Sequence, residues 1–135
     1  MEIYRTVISS NFNAVDATVR DIIEILREFE AVNKKGTLFK ISFMLREVLN
    51  NAVEHGNKFD ESKMIECRVF SKDRFLIFNI KDEGDGILYD EHYDKKNDYN
   101  MRSRNRGLGL ILEYGFKFAA LGNAMEIRLD LDKEG

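Results

Sequence analysis

Between Thr37 and Gly56 one stretch of the chain carries two faces at once. Leu38, Ile41, Leu45, Val48, Leu49 and Ala52 recur at helical spacing, the pattern of a helix laid on a core. Glu47, Asn51 and His55 follow at i, i+4 and i+8. At roughly 100° per residue they span about 80° of a second face, centred about 120° from the apolar stripe. Such a helix has to pack with one side and present a carboxylate, an amide and an imidazole with another. A polar side is ordinary for any surface helix, and Glu47 alone says little more than that. Asparagine is less ordinary, because helix interiors disfavour it. Here Asn50 and Asn51 stand in succession and Gly56-Asn57 follows.

The surrounding chain supplies what this helix packs against. Residues 2–9 alternate as a strand, placed at a sheet edge, and Ser10-Asn11 breaks the chain before a second helical pattern. From Asn13 to about Val32, Val15, Val19, Ile22, Ile23, Leu26 and Phe29 form an apolar stripe, while Asp16, Arg20, Glu24 and Arg27 form an intrahelical charge ladder. Asn33 to Gly36 interrupts the pattern, and Thr37 is placed to cap the next helix. Residues 64–71 and 74–81 read as strands joined at Lys72-Asp73, a hairpin spacing. The polar stretch from Leu88 to Arg106 has no period and reads as a mobile loop. A short helix is expected from Gly107 to about Tyr114, then two strands, FKFAA and AMEIRLDL, around a Gly122-Asn123 turn. The fold class expected is α+β: one domain, a two-layer α/β sandwich, with a mixed, mostly antiparallel sheet and helices on one face.

Composition narrows the function. The 135 residues are 44% hydrophobic, enough for one core. A net charge of −3 leaves no basic excess to displace counterions from a nucleic acid backbone. No signal core and no apolar run near 18 residues is found, so a soluble cytoplasmic protein without membrane contact is expected. Cys67, the single cysteine, falls in an alternating strand and reads as packing.

Two glycine-containing segments complete the set. Asp82-Glu-Gly84-Asp-Gly86-Ile87 directly follows a strand. It reads either as a strand-terminating turn or as a place where backbone and ligand approach closely, with the Asp82 carboxylate able to accept a hydrogen bond from an exocyclic amine such as that of adenine. Arg106-Gly107-Leu108-Gly109-Leu110 opens a helical pattern, where free N–H groups and the helix dipole favour phosphate. The GxxxxGK[ST] spacing and the strand-borne dinucleotide fingerprint are both missing. Asn51 offers a neutral oxygen suited to Mg²⁺.

In this order, the three segments resemble the GHKL (Bergerat-fold) ATPase superfamily of gyrase, Hsp90, histidine kinases and MutL. Glu47 to Gly56 matches its N box, Asp82 to Gly86 its first glycine box and Arg106 to Leu110 its second. The short length and the His55-Gly56 ending look most like bacterial anti-sigma factor serine/threonine kinases. The resemblance implies ATP and Mg²⁺ as cofactors, Asn51 as metal ligand and Asp82 on the adenine amine. It implies a pocket and lid shaped by Gly84, Gly86, Ile87, Gly107, Leu108 and Gly109, and Glu47 as general base. Arg106 is favoured for the γ-phosphate, although the register of the three arginines between 102 and 106 leaves the choice open. His55 belongs to the pocket set, more readily as a helix-end hydrogen-bonding residue than as a proton shuttle, and His92 has no role. Histidine kinases generally carry Asn at the Glu47 position, so Glu47 points to serine, threonine or water as acceptor.

The implied partners are a STAS-domain anti-anti-sigma protein, the phosphate acceptor, and a sigma factor held in check, with a homodimer also allowed. A second reading is a non-catalytic module in which nucleotide orders the 88–106 segment and so selects a binding partner. A fragment of a histidine kinase or of an ATP-hydrolysing machine is disfavoured, because neither a dimerisation helix with a phosphoacceptor His nor a transducer domain is found.

Overall fold

Alternation of apolar residues builds the sheet. In β2 (Met64–Lys72) and β3 (Phe75–Lys81), Ile65, Cys67, Val69, Leu76, Phe78 and Ile80 are all buried. The register pairs Cys67 with Ile80 and Val69 with Phe78, so these side chains share one face. β5 (Ala124–Asp130) continues that face through Met125, Ile127 and Leu129, with Phe78 opposite Ile127. β1 (Glu2–Ser9) and β4 (Lys117–Leu121) close the order β1-β2-β3-β5-β4. All four pairings are antiparallel, and β1 lies at an edge as its sequence indicates. This architecture comes from a computed structural model that describes residues 1–32, 34, 36–84 and 102–133, and only the backbone of residues 102–106, 108 and 121.

The helices α1 (Phe12–Leu26), α2 (Thr37–Asn51) and α3 (Arg102–Glu113) supply the second layer. Val15, Val19, Ile22 and Leu26 from α1, Ile41, Met44, Leu45, Val48 and Leu49 from α2, and Ile111 from α3 join the inward strand residues in one core. The opposite sheet face is charged and aromatic: Arg5 bonds Glu66, Arg68 bonds Glu2, and Arg68 lies over the Phe70 ring. The α+β sandwich is therefore the architecture found. Among the described residues no helix is long and apolar enough to cross a membrane.

Element ends depart from the sequence reading in three places. α1 stops at Leu26, not near Val32; successive turns carry the chain on, and Val32 is still fully buried. An apolar residue at helical spacing can thus reach the core without the helix continuing. Asn11, within the Ser10-Asn11 break that the sequence indicates, caps α1, its side chain accepting from the Ala14 N–H at 2.8 Å. Thr37 does not cap α2: it is the buried first helical residue, and the cap position is Gly36 at φ 88°, a left-handed conformation that suits glycine. α3 begins at Arg102, inside the segment read as loop, because arginine propagates a helix well and nothing between 102 and 106 breaks it. The rest of the segment read as a mobile loop, residues 88–101, lies outside the described residues.

The charge ladder of α1 is also used differently. Asp16 pairs with Arg46 of α2, tying the two helices together rather than bracing one. Cys67 is buried in β2, and burial pushes its thiol up to about 12, consistent with packing.

Candidate functional site

α2 does not end as a plain α-helix. After Asn51 the chain takes a π-helical turn over Ala52–Gly56, closed by the Asn57 N–H donating to the Ala52 carbonyl at 2.8 Å. Such a turn inserts one residue into the helical register. Here it delivers Gly56 against Asp82: a Cβ at Gly56 would overlap the Asp82 carboxylate, 2.7 Å from its Cγ. Gly84 in turn lies on Gly56, where a Cβ would be 2.6 Å from the Gly56 carbonyl carbon. Glycine is thus required on both sides of this contact, whereas its own conformational freedom plays no part.

Asp82 is 5% exposed, and its Oδ1 accepts from the Gly84 N–H at 2.8 Å, which fixes the carboxylate at the end of β3. Two asparagines hold the segment. Asn57 accepts from the Glu83 N–H at 2.8 Å and donates to Ser10 Oγ at 2.7 Å and to the Met64 carbonyl at 3.1 Å. Asn123 donates to the Asp82 carbonyl at 2.6 Å, and its own carbonyl accepts from the Asp82 N–H at 3.0 Å. Neither asparagine is given a site role by the sequence. The signal available is the placement of Asn57 behind a helix-ending glycine and of Asn123 in a hairpin turn; the long-range bonds they make depend on tertiary approach.

Glu47 lies on α2 beneath α3. A Cβ at Gly107 would overlap the Glu47 carboxylate, 2.8 Å from its Cδ, so the backbone of α3 passes directly over the acid. Burial raises the Glu47 carboxyl above its ordinary value, and the negative charge of Glu54, two turns on, raises it further. Asn51, one turn from Glu47, is 5% exposed, and its Nδ2 is buried without a hydrogen-bond partner among the described residues. An orphaned buried amide costs about 1–3 kcal/mol, and rotation about its last torsion exchanges oxygen and nitrogen at that spot. An amide in this state is suited to receive a ligand. His55 is partly exposed, its Nε2 3.7 Å from the Glu54 carboxylate.

The structure therefore brings Glu47, Asn51, Gly107, Asp82 and Gly84 to one helix and the two segments packed on it. Gly109 lies inside α3 with nothing within 4 Å of the position a Cβ would take, so no protein contact requires glycine there. Gly107 and Gly109 stand in the middle of α3 instead of at its start. Their N–H groups point back along the helix, and the unpaired donors of α3 belong to its first turn, 102–105. Gly86 and Ile87 lie outside the described residues, as do the side chains of Arg106 and Leu108 and the whole of His92.

A family profile described as "Histidine kinase-like ATPase domain" matches residues 12–116, from the first residue of α1 to the start of β4. The chain belongs to this family. Among solved structures, the histidine kinase domain of the Erythrobacter litoralis EL346 blue-light activated histidine kinase matches with a TM-score of 0.56 and 18% identity, over 89% of this chain and 62% of that one. A structure of the Erythrobacter litoralis EL346 blue-light activated histidine kinase matches with a TM-score of 0.58 and 16% identity, over 96% of this chain and 47% of that one. This chain spans less than two thirds of either, and at such identity the likeness speaks to the fold alone. No match is found among curated proteins. Membership makes the chain a histidine kinase-like ATPase domain of the GHKL type and implies ATP binding, typically with Mg²⁺. No cluster of three or more His, Cys, Asp or Glu side chains suited to a metal ion occurs among the described residues. A divalent ion at Asn51 would draw its other ligands from phosphate and water.

Proposed function

We propose that this histidine kinase-like ATPase domain transfers the γ-phosphoryl group of ATP to a serine or threonine hydroxyl of a STAS-domain protein, and that it also sequesters a sigma factor. The observation that carries the reading is Glu47: a carboxylate one helical turn from Asn51, partly desolvated, with its basicity raised. A base of this kind serves a hydroxyl, which is a poor nucleophile until it loses its proton, and is superfluous for an imidazole acceptor.

In this scheme Asp82 accepts a hydrogen bond from the adenine amine, and its fixed orientation selects the base. Asn51 would hold Mg²⁺, and the ion would supply neutralisation of the charge that develops on the phosphates. Glu47 takes the hydroxyl proton as the serine Oγ forms its bond to Pγ; the bond from Pγ to the β,γ-bridging oxygen breaks, and ADP leaves with that electron pair. α3 passes over Glu47 at Gly107, which leaves the carboxylate partly desolvated.

Incubation of the protein with γ-labelled ATP and purified STAS-domain proteins from the genome that encodes it tests the proposal. Acid-stable label on serine or threonine is the expected result. Acid-labile label on histidine contradicts it. ATP-dependent binding with no transfer to any STAS protein would favour the non-catalytic module instead.

A further inference from the structure

The carboxylate of Asp82 is aimed by its main chain, and that main chain is held from outside. The Asp82 N–H donates to the Asn123 carbonyl at 3.0 Å, and the Asp82 carbonyl accepts from Asn123 Nδ2 at 2.6 Å. The Glu83 N–H donates to Asn57 Oδ1 at 2.8 Å. Both peptide planes that flank the Asp82 Cα are thus anchored by asparagines of other elements, Asn57 behind the π-helical turn and Asn123 in the β4–β5 turn. Fixing both planes fixes the direction in which the side chain leaves the backbone, and the Gly84 N–H on Oδ1 orients the carboxylate itself. Asn57 is in turn immobile. It is 1% exposed, its Nδ2 donates to Ser10 Oγ at 2.7 Å and to the Met64 carbonyl at 3.1 Å, and its own N–H closes the π-helical turn on Ala52. The Glu83 carboxylate accepts from the Met64 N–H, so the segment after Asp82 is tied to the start of β2 by a second route.

We infer that Asn57 and Asn123 are positioning residues for nucleotide selectivity: they hold the Asp82 carboxylate where a 6-amino purine is accepted and a 6-oxo purine is rejected. The inference rests on the reading of Asp82 as acceptor for the adenine amine. Adenine presents a donor, N6–H₂, where guanine presents an acceptor, O6. An ionised carboxylate only accepts. Held still, it bonds the first base and repels the second, which is discrimination by a repulsive element. A carboxylate on a loosened backbone could turn away from O6, or accept from the N1–H and 2-amino group of guanine. Fixation of Asp82, and not its charge alone, therefore sets the preference. Asparagines that served only the stability of the fold would, when removed, weaken both nucleotides alike.

ATP and GTP affinities, measured by calorimetry below the melting temperature of each variant, test this. Asn123→Ala keeps the main-chain bond to the Asp82 N–H and deletes only the side-chain bond to its carbonyl, at a half-buried turn position. It should shrink the ratio of the GTP Kd to the ATP Kd by about 10- to 100-fold, and Asn57→Ala should do the same. Ser10→Ala removes bonds on the side of Asn57 away from Glu83, to Asn57 itself and to the Lys63 carbonyl. It should melt at lower temperature with the ratio unchanged. A wild-type ratio in folded Asn57→Ala or in Asn123→Ala overturns the inference, and Asn123→Ala decides alone where Asn57→Ala does not fold. A ratio that shrinks as far in Ser10→Ala also overturns it, because selectivity would then follow stability. Asp82→Asn distinguishes this from failure of the adenine reading: it should abolish the preference, and a wild-type ratio there means that Asp82 does not meet the base, so the adenine reading fails and the inference with it.

Discussion

Glu47 combines three conditions that are costly to bring together: partial burial, a neighbouring negative charge from Glu54, and the α3 backbone at Gly107 pressed on its carboxylate. Burial and the Glu54 charge each favour the protonated form, so the acid titrates above the ordinary glutamate value. A base must be ionised to accept a proton; phosphotransfer is therefore expected to fall as pH drops through this raised pKa, with an acid limb above the usual carboxylate range. Glu54→Gln removes the like charge and should move that limb to lower pH, read from kcat against pH. The stability sign is opposite to that of a salt-bridged acid. With the folded pKa above the unfolded one, the contribution is present at low pH and lost as pH rises through the folded value. Asn51→Ala deletes the orphaned amide, and should melt within about 1 kcal/mol of wild type while losing the Mg²⁺-dependent thermal shift that ATP gives. These two residues were legible in the sequence because chemistry-bearing types fell at helical spacing. Asn57 and Asn123 were not, because nothing local says that their amides reach Glu83 and Asp82.

At the scale of the element, the glycines separate into two kinds. Gly56, Gly84 and Gly107 each meet another group where a Cβ would be, whereas Gly109 meets nothing. Gly84→Ala collides with the Gly56 carbonyl, which is backbone and cannot swing aside, and should destabilise by about 1–3 kcal/mol in denaturant melts. Gly109→Ala stands in a helix interior and should stabilise the free protein by about 0.5–1 kcal/mol; a simultaneous loss of ATP affinity would show that nucleotide occupies the space beside it. Strands were readable to within a residue or two, since alternation stops where pairing stops. Helix ends were harder. Val32 keeps helical spacing after α1 has ended, and the arginine-rich start of α3 has no apolar period to announce it. The π-helical turn after Asn51 leaves no sequence mark, yet it sets Gly56 on Asp82.

For the whole molecule, the sequence contained the two layers but not their wiring. That β3 pairs with β5, leaving β4 outermost, follows from how the sheet closes over the helices and not from any period along the chain. This order matters to the site, because Asn123 in the β4–β5 turn reaches Asp82 only when β5 lies beside β3. Family membership and fold then agree on an ATP-binding domain, and the chemistry turns on one side chain. The most direct measurement is phosphotransfer by Glu47→Gln at saturating ATP, with nucleotide affinity measured on the same sample. If Glu47 is the base, ATP affinity persists while transfer to the STAS-domain acceptor falls by about 10²- to 10⁴-fold; transfer at the wild-type rate would contradict that role.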